Sequence, residues 1–212
     1  MTPTKLTRKL KAATLPETLT IRLHRSISWL KSAEKQEDNL DLKFISLWIA
    51  FNACYAVDLN GISSKPEKAK LRDFTSSLVK FDRSRLYNLF WEKFSGPVRL
   101  LIENRYVFDK FWEYNRGEIT DYEAAFNKSI TKALNCLSKK DIEGLLEIVL
   151  ERLYTLRNSI IHGGSTFGSS LNRPQLEDAC KIMHLLVPII IDIMIENFDH
   201  DWGEIAYPVV RN

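Results

Sequence analysis

The sequence is poor in residues that break helices and in residues that build metal or disulfide frameworks. It holds only eight glycines and seven prolines in 212 residues, which favours helices over an architecture of many short strands. The three cysteines, Cys54, Cys136 and Cys180, are far apart and odd in number. Neither a disulfide framework nor a metal site is therefore expected, and each thiol is predicted to be a small core residue in a reduced, cytoplasmic compartment.

Long apolar runs and a strong charge of one sign are also missing. The longest apolar run, Leu185 to Ile191, is too short to span a bilayer and includes Pro188. The basic start of the chain lacks the apolar segment of a secretory signal. A net charge of +3 and a pI near 8.7 permit RNA binding without requiring it. No Walker spacing is present, so nucleoside-triphosphate hydrolysis is not expected.

Apolar residues recur at three- and four-residue intervals, which predicts an all-α fold. The predicted long helices cover about 17–38, 39–57, 66–80, 121–137, 141–162 and 174–197. Residues 1–15 are predicted to be a basic flexible tail, with an RNA-contacting arm as the alternative. Residues 16–212 are predicted to be a single helical domain, and the aromatic segment around Trp202 is expected to fold back onto it.

Residues 59–117 are interpreted as a helical insertion rich in aromatic side chains and interrupted at Ser95-Gly96-Pro97. One interpretation is a second small core or a lid on the bundle, which the helical spacing of the aromatics favours. The other is a platform on which RNA bases stack, assisted by Arg99, Arg105 and Arg116.

The helix that ends at Gly163-Gly164 carries the strongest candidate site, with Arg157, Asn158 and His162 in its last turns. An imidazole titrates near pH ~6.5 and can serve as general acid or base. A guanidinium matches a phosphate with its planar fork of donors, and an amide can orient the imidazole or a ribose hydroxyl. Together they suit metal-free cleavage of RNA, in which the ribose 2′-hydroxyl attacks the neighbouring phosphate.

On an ideal helix Arg157 and His162 point about 140° apart, whereas Asn158 and His162 share a face. Either the last turn unwinds or two copies of the chain contribute jointly; a two-fold homodimer is the favoured arrangement. The alternative is structural, because an arginine and a histidine at a helix C-terminus also offset the helix dipole.

Three further residues are candidate substrate contacts. Arg173 and Ser165 belong to the glycine- and hydroxyl-rich loop after the motif helix, where backbone amides can cradle phosphate. Asn52 is a polar residue in the apolar helix predicted to lie at the centre of the bundle, and it is expected to support the site. A surface role for Arg173 and a buried hydrogen bond for Asn52 are the alternatives.

The segment Arg157-Asn158-Ser159-Ile160-Ile161-His162 resembles the Arg-polar-x-x-x-His motif of the HEPN superfamily (higher eukaryotes and prokaryotes nucleotide-binding domains). Residues 44–55 resemble the second-helix signature of its Apea-like group, as does His162-Gly163-Gly164 followed by Asn172-Arg173.

The resemblance implies a HEPN-like helical bundle, usually dimeric, that is often a metal-independent endoribonuclease of defence or toxin–antitoxin systems. It implies catalytic roles for Arg157 and His162, with Asn158 as the polar motif residue, no cofactor, and an antitoxin or regulatory protein as a partner. Gly164 stands where some family toxins carry a tyrosine that a nucleotidyltransferase modifies, so control by that route is not expected. The alternative is a non-catalytic HEPN module that binds RNA, a nucleotide or a protein.

Overall fold

The structure, a computed structural model, describes residues 1–55, 67–82, 84–205 and 207–209. These residues form an all-α fold without strands, as the sequence predicts. The helices are α1 (Pro3–Ala12), α2 (Glu17–Glu34), α3 (Leu40–Tyr55), α4 (Glu67–Phe81), α5 (Arg85–Lys93), α6 (Arg99–Ile102), α7 (Asp109–Asn115), α8 (Glu123–Lys139), α9 (Ile142–Ile161) and α10 (Arg173–Glu196).

Helices α2, α3 and α10 pack against one another at the centre of the fold. Phe44, Leu47 and Phe51 on α3 are fully buried, which confirms the predicted central position of this helix. The Asn39 side chain accepts the backbone N–H of Leu42 at 3.0 Å and so caps the start of α3. The predicted end of this helix at Val57 and the predicted linker over 58–65 lie outside the described residues.

The prediction of a flexible tail over residues 1–15 is wrong. Pro3–Ala12 is helical, with Pro3 in the first turn and the Thr2 hydroxyl accepting the backbone N–H of Lys5. The apolar side chains of Leu6 and Leu10 are buried in the common core. The basic residues mask this amphipathic pattern, in which two leucines four positions apart are enough to dock a short helix.

An ion-pair network holds α1 onto α10. Lys9 Nζ lies 2.5 Å from Asp192 Oδ1 and 2.9 Å from Glu196 Oε1. Arg85, at the start of α5, donates to the same two carboxylates at 2.8 and 3.0 Å. The network therefore ties the first helix, α5 and the end of α10 together.

The described part of the aromatic region is helical and shares the core of the bundle. Leu86, Phe90, Val98 and Ile102 belong to the same buried cluster as α3 and α10. The predicted break occurs at a π-helical turn, Phe94–Val98, in which Gly96 leaves helical geometry before Pro97. Phe90 and Phe108 are buried, as the first interpretation predicts, whereas Trp91, Tyr106, Trp112 and Tyr114 are exposed.

A buried guanidinium anchors this region to α9. Arg152 donates to Ser129 Oγ at 2.9 Å, and its guanidinium carbon lies 4.4 Å from the ring centre of Phe108. Burial lowers the pKa of Arg152 to about 10, so the side chain is still charged at neutral pH. The cation–π contact offsets part of the cost of burying that charge.

The C-terminal segment folds back, as predicted. Trp202 is buried, donates from Nε1 to the Asn197 carbonyl at 2.9 Å, and packs edge-on against Phe74. The buried Arg22 on α2 donates to the carbonyls of Gly203 and Glu204 at 2.8 and 3.1 Å. None of the helices in the described ranges combines the length and apolar character needed to cross a bilayer.

Candidate functional site

Helix α9 begins and ends where the sequence predicts. The Asp141 carboxylate accepts the backbone N–H of Gly144 at 3.0 Å and caps the first turn. At the other end, His162 N–H bonds to the Asn158 carbonyl and Gly164 N–H to the Ser159 carbonyl. Gly163 has φ +72°, a left-handed conformation that glycine adopts without strain. The motif residues therefore occupy the last turn and cap of a regular helix.

Arg157 and Asn158 contact each other directly. Arg157 donates from Nη1 to Asn158 Oδ1 at 2.9 Å, and its guanidinium carbon lies 5.9 Å from the ring centre of Tyr154. Arg157 Nε is buried and has no hydrogen-bond partner among the described residues. Two of the three motif side chains thus form a unit, with the amide fixing the direction of the guanidinium.

His162 stands apart from that unit. Its side chain is exposed at the end of α9, and within the described ranges no hydrogen bond joins its imidazole to Arg157 or Asn158. On an ideal helix the Arg157 and His162 side chains are predicted to point about 140° apart. The structure agrees with this prediction. The described residues of one chain therefore do not form a closed Arg–His pair.

A cleft of about 490 Å³ runs beside the motif helix. On α9 its lining residues Glu151, Thr155 and Asn158 recur at the spacing of one helix face, and Ser159 and Gly164 extend it to the helix end. Tyr154, also on α9, lines the cleft together with residues of α4 and of α7 with its cap: Leu71, Asp109, Trp112, Glu113 and Arg116. Neither Arg157 nor His162 lines the cleft, so the cleft meets the motif through Asn158.

Acidic side chains outnumber basic ones in the described lining of the cleft. Among the described residues, the lining holds three carboxylates, those of Asp109, Glu113 and Glu151, and one cation, Arg116. Arg116 is itself bound to Glu118, with Nε–Oε1 and Nη2–Oε2 distances of 2.6 and 2.9 Å. Such a lining repels a phosphate backbone, whereas carboxylates and aromatic rings suit base edges or cationic groups.

Arg173, which the sequence predicts as a phosphate contact, pairs with a buried carboxylate in the structure. Its Nη2 lies 2.8 and 2.6 Å from the two carboxylate oxygens of Asp41, and its Nε donates to the Ser169 carbonyl. Asp41 is buried and also accepts the backbone N–H of Gly168. The guanidinium is therefore engaged in tying the loop after the motif to the start of α3.

The other two predicted contacts lie outside the cleft lining. Ser165 is half-buried in the loop that follows α9. Asn52 lies one turn after Trp48 on α3, and Trp48 packs 6.0 Å from the ring of Tyr154 on α9. Asn52 Oδ1 is buried and accepts no hydrogen bond from the described residues.

The three cysteines are free and buried, which confirms their prediction as core residues. Burial raises the pKa of Cys54 to about 11 and that of Cys180 to about 12. Burial and the neighbouring Asp141 also raise the pKa of Cys136. Because the thiolate is the nucleophilic form, these thiols are unreactive at neutral pH.

Comparison with protein-family models, curated proteins and solved structures gives no match for this chain. The HEPN resemblance stays a prediction that rests on the motif residues.

Sequence reasoning missed the cleft and its carboxylates. The signal for it was the polar stripe of Glu151, Thr155 and Asn158 along one face of the motif helix.

Proposed function

We propose that the protein is a metal-independent endoribonuclease of HEPN type that acts as a homodimer. The observation that carries this proposal is the Arg157–Asn158 hydrogen bond in the last turns of α9, together with the exposed imidazole of His162 where the helix ends. It supplies an oriented phosphate-binding group and a titratable base in the same two turns of helix.

The proposed reaction is a transesterification that balances without a cofactor. His162 takes the proton from a ribose 2′-hydroxyl, whose oxygen attacks the adjacent phosphorus. Arg157 stabilises the negative charge on the phosphorane oxygens. The P–O5′ bond breaks, the leaving 5′-oxygen takes the proton back from the His162 imidazolium, and a 2′,3′-cyclic phosphate is formed. The substrate is RNA because DNA lacks the attacking hydroxyl.

The composite character of the site is part of the proposal. One chain leaves Arg157 and His162 without a mutual contact, and a two-fold axis near the end of α9 brings one residue of each chain to the same phosphate. Large exposed apolar side chains in this region support such an interface: Ile161, Phe167, which is 73% exposed, and Leu171, which is 87% exposed.

The acidic cleft fits the same proposal as a base-binding pocket. Its carboxylates repel the phosphate backbone, which stays outside the cleft at the motif. A base enters the cleft and stacks on the ring of Trp112. Glu113, one of the two cleft-lining carboxylates of α7, is the proposed acceptor of an amino or imino N–H of that base.

The test uses purified protein and several RNA pools in EDTA. Wild-type cleavage with 2′,3′-cyclic phosphate ends supports the proposal, with losses of about 10²-fold or more in His162→Ala and Arg157→Ala. His24→Ala and Arg8→Ala, which change exposed residues of α2 and α1, are the matched controls and are expected to cleave normally. No cleavage by the wild type overturns it.

The second candidate function is a non-catalytic HEPN module, and the acidic lining of the cleft favours it. Carboxylates beside Trp112 suit a lysine or arginine side chain of a regulatory protein. This function predicts partner binding that Glu113→Gln weakens and that His162→Ala leaves unchanged, with no RNA cleavage under any condition.

A further inference from the structure

A second surface, remote from the motif, combines lysines with a stacked pair of aromatic rings. It consists of a groove of about 550 Å³ along α8 and the rings of Tyr87 and Trp91 on α5. Three of the groove's lining residues are Lys128, Lys132 and Lys139. The sequence analysis placed its stacking platform elsewhere, at Arg99, Arg105 and Arg116.

The three lysines share one face of α8, at spacings of four and seven residues. The helix rise places the first and last about 16 Å apart. In the described part of the chain, Lys128 and Lys139 have no ion-pair partner, and Lys132 lies 3.7 Å from Glu147. Asp141 is the single carboxylate among the described residues that line the groove. The groove is thus cationic over several nucleotide lengths.

The aromatic pair lies where the groove ends. Tyr87 and Trp91 stack with centroids 5.9 Å apart and planes 23° apart, and Trp91 is 59% exposed. Lys140 Nζ lies 5.3 Å from the centre of the Tyr87 ring. Because Lys140 sits between two groove-lining residues in sequence, Lys139 and Asp141, it joins the groove to the rings.

Lys140 occupies a backbone conformation that suits glycine better. Its φ is +58°, the left-handed region that costs a side-chain-bearing residue roughly 1 kcal/mol. A glycine here would end α8 without that cost. The fold alone therefore favours glycine here, and the lysine found instead directs its ammonium group at the Tyr87 ring.

We propose that this surface binds a single-stranded nucleic acid, with phosphates along Lys128, Lys132 and Lys139 and a base stacked on Trp91. Ammonium groups at intervals bind a phosphate backbone, and an exposed ring parallel to its neighbour extends a base stack. The inference does not rest on the proposed nuclease activity, because binding needs no cleavage. Helix α9 separates the groove's Lys139 end from His162 by about 30 Å.

The probes are a 12-nucleotide 2′-O-methyl oligouridine, which 2′-hydroxyl attack cannot cleave, and oligodeoxythymidine of equal length. Affinity is measured by fluorescence anisotropy between 50 and 200 mM salt. Trp91→Leu is expected to weaken binding about tenfold. Replacing the three groove lysines with glutamine is expected to reduce the slope of log affinity against log salt by about 2.

Matched variants separate this site from general charge. Glutamines at Lys11, Lys31 and Lys35, which are exposed on α1 and around the end of α2, change the net charge equally and are expected to leave the slope nearly intact. Lys140→Gly is expected to weaken binding while keeping or raising the melting temperature. Trp29→Leu is the aromatic control.

Binding that survives both Trp91→Leu and the groove triple variant overturns the proposal. Equal competition by polyglutamate also overturns it, because an acidic polypeptide has phosphate-like charge but no bases to stack. Loss of affinity for either probe in Trp91→Leu and in the groove triple variant supports the inference. A preference for the oligouridine or for the oligodeoxythymidine identifies the sugar that the site binds.

Discussion

Arg157 donates a hydrogen bond from Nη1 to Oδ1 of its sequence neighbour Asn158, at 2.9 Å. The two side chains leave adjacent positions of α9 and turn toward each other, so the amide determines where the guanidinium points. The polar residue of the Arg-polar-x-x-x-His motif is thus explained by a contact within one turn, and its proposed role is to position the arginine.

Asn158→Ala is therefore expected to lower the rate of RNA cleavage about 10- to 100-fold, because a misdirected guanidinium no longer meets the phosphate. The fold is expected to be unaffected. Initial cleavage rates and thermal melting check both points. Asn88→Ala, an exposed amide on α5, is the control; equal rates for the two variants would contradict the positioning role.

Arg173→Gln is expected to destabilise the protein by about 1–3 kcal/mol, because it leaves the buried Asp41 carboxylate without its cation. Denaturant unfolding measures this. A double variant with Asp41→Asn is expected to lose less than the sum of the single losses. A normal unfolding free energy with weakened RNA binding would instead restore Arg173 to the phosphate role that the sequence predicted.

Leu6→Ala is expected to cost about 2–4 kcal/mol of unfolding free energy, because Leu6 is fully buried against the common core. Lys5→Ala, one residue earlier and exposed, is expected to change stability by less than about 0.5 kcal/mol. If both variants melt like the wild type, residues 1–12 do not dock as α1.

The ion-pair network of α1 and α10 gives stability a defined pH dependence. The hydrogen bond from Lys9 and the charge of Arg85 outweigh burial and lower the pKa of Glu196. Burial lowers the pKa of Lys9, but the bonds to Asp192 and Glu196 outweigh it and raise that pKa overall.

Glu196 therefore contributes to the free energy of unfolding above its pKa in the unfolded chain, about 4.3. That contribution is lost as the pH falls through the lower pKa of Glu196 in the folded protein. The Lys9 contribution is full below about 10.4 and is lost as pH rises beyond the folded value. Glu196→Gln is expected to lessen the stability lost between pH 6 and 3, by at most about 1 kcal/mol because the pair is partly exposed. Glu92→Gln is the control, and an unchanged acid dependence in Glu196→Gln would contradict this.

Helix periodicity and capping residues were enough to predict α9, its cap at Asp141 and its end at Gly163. They failed at α1, where Lys5, Arg8, Lys9 and Lys11 concealed the buried stripe of Leu6 and Leu10. The periodicity of a segment predicts which face of its helix is apolar. It does not predict which other element of the fold packs against that face.

The site shows the same limit. The Arg157–Asn158 contact lies within one turn and follows from adjacency, whereas the Asp41–Arg173 pair joins residues 132 positions apart. The cleft needs α7 opposite α9, a tertiary arrangement that neither segment's pattern specifies. A sequence read alone therefore finds motif residues better than the surfaces that surround them.

The central claim is that Arg157 of one chain and His162 of another act on the same phosphate. The most direct measurement mixes Arg157→Ala protein with His162→Ala protein, allows subunits to exchange, and assays RNA cleavage in EDTA. Each variant alone is expected to be inactive, and random pairing restores one intact site in half of the dimers, so about a quarter of wild-type activity is expected. A mixture as inactive as its components, although exchange is verified, would contradict the joint site.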